Sequence, residues 1–307
     1  VILCNESSTR EVDVKDNGTI NYTLWVDVYR ETFGFRTVAW TENQILINEK
    51  PFYCLGFGMH EDFEIHGRGH NQAVMTKDMN LLEWMNGNCY RTSHYPYAEE
   101  RMAESDRRGI AVVAESQAAQ FKRYSNGSLE LYMKLLKELI DRDKNHPSVI
   151  MWSISNEPKN LGNESMTYLK KVVEYAKELD KTRPVSFAFG GINQSTGIDD
   201  TVEPSVPFSE QYQNDLIKQA HIAFDILRNE HRLAGEMIWN FADFATGMSY
   251  FRPVGNHKGV FTRTRQAKMA AYTLRDRYFR LFNQTNLEKW NSSELLPDVC
   301  SRESYCD

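Results

Sequence analysis

From residue 51 to 283 the chain alternates short apolar runs with longer stretches of helical period, and that alternation limits the folds open to it. Apolar runs occur at 53–58, 88–93, 110–115, 149–155, 185–189 and 235–241. Between them, "LELYMKLLKELIDRDK" repeats Leu129, Met133, Leu136 and Ile140 at three- and four-residue steps. "MTYLKKVVEYAKELDK" does the same with Met166, Leu169, Val173, Ala176 and Leu179. Strand followed by helix, repeated, implies parallel pairing through right-handed crossovers, and so an α/β chain. A (β/α)8 TIM-type barrel is preferred to a doubly wound sheet, because no dinucleotide fingerprint opens the first unit. Closure of such a barrel takes eight strands and only six runs are recognisable, so an incomplete barrel is expected.

Composition narrows the function. The 307 residues, 41% hydrophobic, suffice for one barrel-sized core or two smaller ones. A net charge of −6 argues against nucleic acid and against an anionic membrane surface, and no run reaches the length of a bilayer span. The GxxxxGK[ST], CxxC and HExxH patterns are absent. Five cysteines fit no zinc spacing; Cys54 and Cys89 lie in apolar runs and are expected as inert core thiols, while Cys300 and Cys306 can close a small loop. Glycosylation sequons begin at eight asparagines (Asn5, Asn17, Asn21, Asn126, Asn163, Asn193, Asn283 and Asn291). From 22 Asn and 37 Ser and Thr about three are expected by chance, so the excess points to the secretory pathway. No leader is visible at Val1, which suggests a processed or incomplete chain.

The polar residues fall in series where the strands should end, the rim on which barrels carry their chemistry. "GFGMHED" delivers His60, Glu61 and Asp62 after the first run, and "YRTSHYPY" delivers Arg91, His94 and Tyr95 after the second. Glu115 closes the third, Asn156 and Glu157 the fourth, and "IWNFADF" brings Trp239 and Asn240 after the last. The histidines and acids come from different strands with no ligand spacing, so no metal and no cofactor is expected. A carboxyl at a half-screened strand end suits a group that must carry a proton, and two flanking carboxyls are what cleave a glycosidic bond. Asn156 can orient a sugar hydroxyl, since an amide both donates and accepts, and Pro158 stops the strand.

"DKNHPSVIMWSISNEP" resembles the acid/base region of glycoside hydrolase family 2. "GFGMHED", "NCYRTSHYPYAEE", "GEMIWNFADF" and "VGNHKGVFTRTRQAK" look like the β-glucuronidases of that family, in the family's order and over about 35 to 285. The resemblance implies Glu157 as general acid/base with Asn156 beside it, and His60, Asp62, His94 and Trp239 around the sugar. It further implies that Asn256 and Lys258, with Arg252 nearby, grip the carboxylate of a uronic acid, as a cation and an amide donor can. The expected partner is therefore a β-D-glucuronoside, from a glycosaminoglycan or a glucuronide conjugate, in a lysosomal or secreted setting; a homo-oligomer is compatible with this. Residues 1–40, strand-like in "INYTLWVDVYRETFGFRTVAW", read as the remnant of an immunoglobulin-like β-sandwich, 41–285 as the barrel and 286–307 as a tail.

The family's nucleophilic glutamate ends its seventh strand, and here that strand is missing. Between 189 and the helix beginning near Ser209, "GGINQSTGIDDTVEPSVPF" holds no apolar run, which implies an internal deletion near 190–208. Glu210 in "FSEQY" superficially matches a nucleophile, but Ser209 reads as an N-cap and Glu210 as a first-turn residue. Glu236 corresponds to a family glutamate of another role, Glu203 has no strand to aim it, and Ala114 stands where the family has an acid. The readings that follow are a retaining β-glucuronidase with an improvised nucleophile, and an inactive glucuronide-binding relative or unstable deletion product.

Overall fold

A computed structural model of the chain describes residues 3–4, 11–14, 20–23, 28–29, 32–188, 205–249, 252 and 254–290. The chain divides into two compact units, Val1–Phe35 and Arg36–Asp307. In the first, β1 (Leu3–Cys4) pairs antiparallel with β4 (Val28–Tyr29), and β2 (Glu11–Val14) with β3 (Ile20–Thr23).

The second unit opens with a three-stranded antiparallel sheet, β5 (Val38–Trp40), β6 (Ile45–Ile47) and β7 (Lys50–Phe52). There follow β8 (Cys54–Met59), a short hairpin of β9 (Asp62–Phe63) and β10 (Gly67–Arg68), α1 (Gln72–Trp84), β11 (Cys89–Thr92), α2 (Glu99–Arg108) and β12 (Ala111–Glu115). The remainder is α3 (Asn126–Asp143), β13 (Val149–Asn156), α4 (Asn163–Leu179), β14 (Val185–Ala188), α5 (Glu210–Asn229), β15 (Gly235–Trp239) and α6 (Met269–Trp290). All six expected strands form one parallel sheet in the order β14-β13-β12-β11-β8-β15. Among the described residues β14 and β15 each pair on one side only, so the sheet is an incomplete barrel. Most of the region of the expected deletion, 190–204 of 190–208, lies outside the described residues together with Glu203, as do Cys300, Cys306 and the rest of 291–307.

Local chemistry sets the helix ends. Asn71 accepts from the Val74 amide at 3.1 Å, and Ser125 and Ser128 satisfy each other's backbone amides at the start of α3. Gly109, at φ 68°, ends α2 in the left-handed conformation that a side chain would strain.

Two apolar layers hold the unit. The larger lies between sheet and helices, with Phe57, Val112, Trp152 and Ile154 from the strands against Leu82, Leu136, Val172 and Leu274. The smaller lies at the strands' N-terminal end, where Val38, Ile47 and Phe52 of the three-stranded sheet pack on Cys54, Cys89, Ala111 and Ile150. Here the expectation of free core thiols is overturned: Cys54 and Cys89 form a disulfide, with Cα atoms 5.7 Å apart. They open neighbouring parallel strands and project from the same face, which spacing along the chain does not reveal. No helix among the described residues is long and apolar enough to cross a membrane.

Candidate active site at the C-terminal rim

The strand ends and the loops after β15 enclose a cavity of about 990 Å³. Behind its lining Glu115, fully buried at the end of β12, accepts hydrogen bonds from Arg91 (2.5 Å), His94 (2.7 Å) and Ser153 (2.6 Å), all three of which line the cavity. Burial opposes its charge, yet the His94 hydrogen bond and the Arg91 guanidinium outweigh that and hold the carboxyl below its usual range. Arg91 also donates to Asn156 Oδ1 at 3.2 Å, tying β11 to the tip of β13.

An aromatic group stands beside this cluster. Trp239 stacks on His94 at 5.0 Å between ring centroids and meets His60 edge-on at 5.4 Å. Gly58 makes the approach feasible: a Cβ there would lie 2.4 Å from Trp239 Cε3. The Tyr95 hydroxyl accepts from the Glu61 amide (3.2 Å) and shares a hydrogen bond with His60 Nδ1 at 3.3 Å. Burial, followed by the charges of His94, Arg68 and Arg91, keeps the His60 imidazole neutral. Its Nε2 is a buried atom with no hydrogen-bond partner among the described residues.

At the end of β13, the Asn156 amide donates to Ala118 O (3.0 Å) and its carbonyl accepts from the Gln120 amide (2.7 Å). Glu157 turns out of the strand at φ 47°, with its amide on Ala188 O at 2.8 Å. That left-handed conformation is uncommon for a glutamate and is held here from both sides. Its side chain is 35% exposed, and Oε2 accepts from Lys159 Nζ (3.1 Å) and Gln120 Nε2 (3.5 Å).

Phe244, Arg252, Asn256 and Lys258 supply a further wall. Phe244 and Asn256 exchange backbone hydrogen bonds at 3.0 and 3.2 Å, and Asn256 Oδ1 accepts from the Lys258 amide at 3.0 Å. Because the oxygen is so engaged, the Asn256 NH2 is the group left to donate to a ligand. Burial and then the nearby Arg252 guanidinium push the Lys258 ammonium below the ordinary lysine range, against the pull of Glu157. No carboxylate lies within ion-pair distance of that ammonium among the described residues.

His60, His94, Asn156, Glu157 and Trp239 thus line the cavity, together with Arg252, Asn256 and Lys258. Two expected members lie elsewhere. Asp62 does not line it: its carboxylate accepts from Arg263 (2.5 Å) and the Ala245 amide (3.3 Å), because β9 begins at Asp62 and turns it away. Glu210 accepts from the Met269 amide at 2.7 Å, capping α6, while Ser209 caps α5 by accepting from the Tyr212 amide at 3.2 Å. Glu236 is buried on the other face against Arg277 and Tyr53. Arg68 and Phe244 line the cavity without having been singled out in the sequence, since neither sits at the end of a barrel strand. Among the described residues no group of three or more His, Cys, Asp or Glu could hold a metal.

Comparison with known proteins gives the lineage. The "Glycosyl hydrolases family 2, TIM barrel domain" profile matches residues 38–205 and 191–283. A β-glucuronidase of Canis lupus familiaris is 40% identical over 317 aligned positions, which take in 84% of this chain and 48% of the relative. The chain thus spans about half the length of the curated relatives it matches. The solved β-D-glucuronidase of Dictyoglomus thermophilum superposes with a TM-score of 0.76 at 30% identity, covering 91% of this chain and 68% of that one. The Ruminococcus gnavus β-glucuronidase in complex with D-glucuronic acid gives 0.74 at 33%, covering 87% and 55%. A six-stranded parallel sheet carrying its polar residues on the C-terminal rim, with these matches across most of its length, belongs to the TIM barrel domain of glycosyl hydrolases family 2.

Proposed function

We propose that this chain is a β-glucuronidase-like protein that binds β-D-glucuronosides and presents Glu157 to the glycosidic oxygen as acid/base, with no second carboxylate among the described residues placed to form a glycosyl-enzyme. One observation carries this reading. Among the described residues lining the cavity, Glu157 is the single carboxylate, and it faces Arg68, Arg91, Arg252 and Lys258. That excess of cations suits a sugar bearing its own carboxylate, and a neutral sugar would leave Lys258 without a charged partner. A retaining mechanism needs a second carboxyl about 5 Å from the first, and an inverting one a second about 6.5–9.5 Å away. Neither Glu210 nor Glu236 is placed to serve. Without the covalent route, binding and the acid leave at most residual catalysis.

The form of the family match supports a loss between β14 and α5. The family profile matches in two pieces that meet at 191–205, and the canine relative aligns over 317 positions with only 84% of a 307-residue chain. The relatives' names and the glucuronic acid complex support the sugar assignment. The disulfide, and exposed sequon asparagines at Asn126 and Asn163, support passage through the secretory pathway to a lysosomal or secreted setting.

The test is turnover of an aryl β-glucuronide beside calorimetric binding of D-glucuronate. Binding without turnover is expected, weakened about tenfold or more by Lys258→Ala. Turnover abolished equally by Glu157→Gln and by Glu210→Gln would restore the retaining-hydrolase reading, and galactose bound as tightly as glucuronate would remove the uronate assignment.

A further inference from the structure

Two large apolar side chains stand in water at the start of α4: Leu161 is 50% exposed and Met166 57%. The backbone that presents them is fixed. The Lys159 amide donates to Phe121 O at 2.8 Å, and Asn160 Nδ2 donates to Lys122 O at 3.4 Å. Ser165 Oγ accepts from the Gly162 amide at 2.7 Å and donates to Gly162 O at 2.8 Å, closing the first turn. Apolar side chains held in this way are a liability for association unless something covers them.

Asn163 stands between the two. It is the first residue of α4, it is exposed, and it opens the sequon Asn163-Glu164-Ser165. Met166 follows three positions on, and side chains three apart share a helix face, so a group borne by Asn163 lies beside Met166. Leu161 comes two positions before it, in the segment that leads into the helix. Among the other sequon asparagines, Asn126 is likewise exposed and Asn283 is half-buried. The surroundings of Asn126 differ. The next exposed large apolar side chain of α3, Leu131 at 59%, lies five positions on, about 140° round the helix.

We propose that Asn163 carries an N-linked oligosaccharide whose first N-acetylglucosamine covers Leu161 and Met166. The proposal rests on the secretory setting put forward above. The donor is an oligosaccharide linked through a diphosphate to a polyprenol. Asn163 Nδ2 attacks C1 of its reducing-end N-acetylglucosamine: an N–C bond forms, the C–O bond to the diphosphate breaks, Nδ2 gives up one proton and the polyprenyl diphosphate leaves. The C–H face of that sugar and its N-acetyl methyl are apolar, so they lie on Leu161 and Met166 while the hydroxyls stay in water. The unbranched thioether of Met166 adapts to the ring outline. The bulk and polarity of the glycan then replace an apolar surface with a soluble one.

The test is glycopeptide mapping of the full chain made through the secretory route of a eukaryotic cell. Release by a peptide N-glycosidase in heavy-oxygen water leaves a labelled aspartate at each occupied asparagine, and a digest without that enzyme serves as the blank. Trypsin separates the two exposed sequons, since 124–134 holds Asn126 alone and 160–170 holds Asn163 alone. Label at Asn163 is expected. Asn163→Gln is then expected to raise the fluorescence of a bound apolar dye about twofold, with Asn126→Gln leaving it unchanged. Both changes are at exposed positions and spare the Ser165 hydroxyl that closes the turn. An unlabelled Asn163 beside a labelled Asn126 would overturn the proposal and leave the secretory reading intact. No label at either would count against both. A labelled Asn163 whose loss leaves dye binding unchanged would show that the sugar does not cover Leu161 and Met166, which also overturns it.

Discussion

In Glu115→Gln the side chain keeps its shape and loses its charge at the point where three donors converge. Arg91, His94 and Ser153 all donate to this carboxylate, within 2.5–2.7 Å, and none of it reaches solvent. A glutamine retains one acceptor oxygen and turns an NH2 toward Arg91 or His94, so one donor meets another donor. Breaking a buried ion pair on one side costs about 3–5 kcal/mol. Arg91 is 13% exposed and regains some water, which places the expected loss near the lower end, about 3 kcal/mol. Against a total stability of about 5–15 kcal/mol this is large, and with a urea slope of about 3 kcal/mol/M it moves the midpoint down by roughly 1 M at pH 7. The pH dependence follows from the carboxyl's lowered value: the contribution is fully present above the ordinary 4.5 and is lost as pH falls through the folded-state value beneath it. The gap between wild type and variant should therefore close on acidification below about 4.5. Urea unfolding followed by tryptophan fluorescence at pH 7 and pH 4 measures both. A variant within about 0.5 kcal/mol of wild type at pH 7, or a gap that widens in acid, would refute the reasoning.

Gly58→Ala drives a methyl to 2.4 Å from Trp239 Cε3, so a loss of about 1–3 kcal/mol and weaker glucuronate binding are expected; an unchanged melting temperature with unchanged affinity would count against the packing described. Reduction of Cys54–Cys89, which closes a loop of sequence separation 35, should cost about 4 kcal/mol in urea. Mass spectrometry after alkylation checks the bond itself, and labelling of both cysteines without reductant would disprove it. Glu157→Gln should tighten glucuronate binding about threefold, since it removes the one carboxylate that repels the ligand's own, and calorimetry showing weaker binding would argue that Glu157 is a contact residue for the sugar hydroxyls.

The scaffold was readable because its signals are local. Six buried strands announce themselves as apolar runs, and the helical period through Leu129, Leu136 and Ile140 gives α3 directly. The rim residues His60, His94, Glu157 and Trp239 were found because a strand end is a position that sequence can specify. What was missed depends on pairing between distant elements. Cys54 and Cys89 meet only once β8 and β11 are in register, and Asp62 is withdrawn by Arg263, two hundred residues along the chain. The roles of Glu115 and Gly58 were equally hidden, since one is set by three donors from β11 and β13 and the other by a ring from β15. The two-way bridge between Phe244 and Asn256 shows no periodicity at all.

That bridge bears on how binding and bond cleavage can part company. The hydrogen bonds described for the wall proposed to hold the uronate come from elements outside the segment between β14 and α5. Asn256 is fixed by Phe244, Lys258 by the side chain of Asn256, and the Lys258 carbonyl by Gln213 Nε2 at 3.0 Å. Glu157 follows β13 and is held by its amide on Ala188 of β14 and its carboxylate on Lys159. The proposed loss would therefore remove a strand-borne nucleophile while each of these hydrogen bonds, which shape the anion-binding pocket, stays within the described elements.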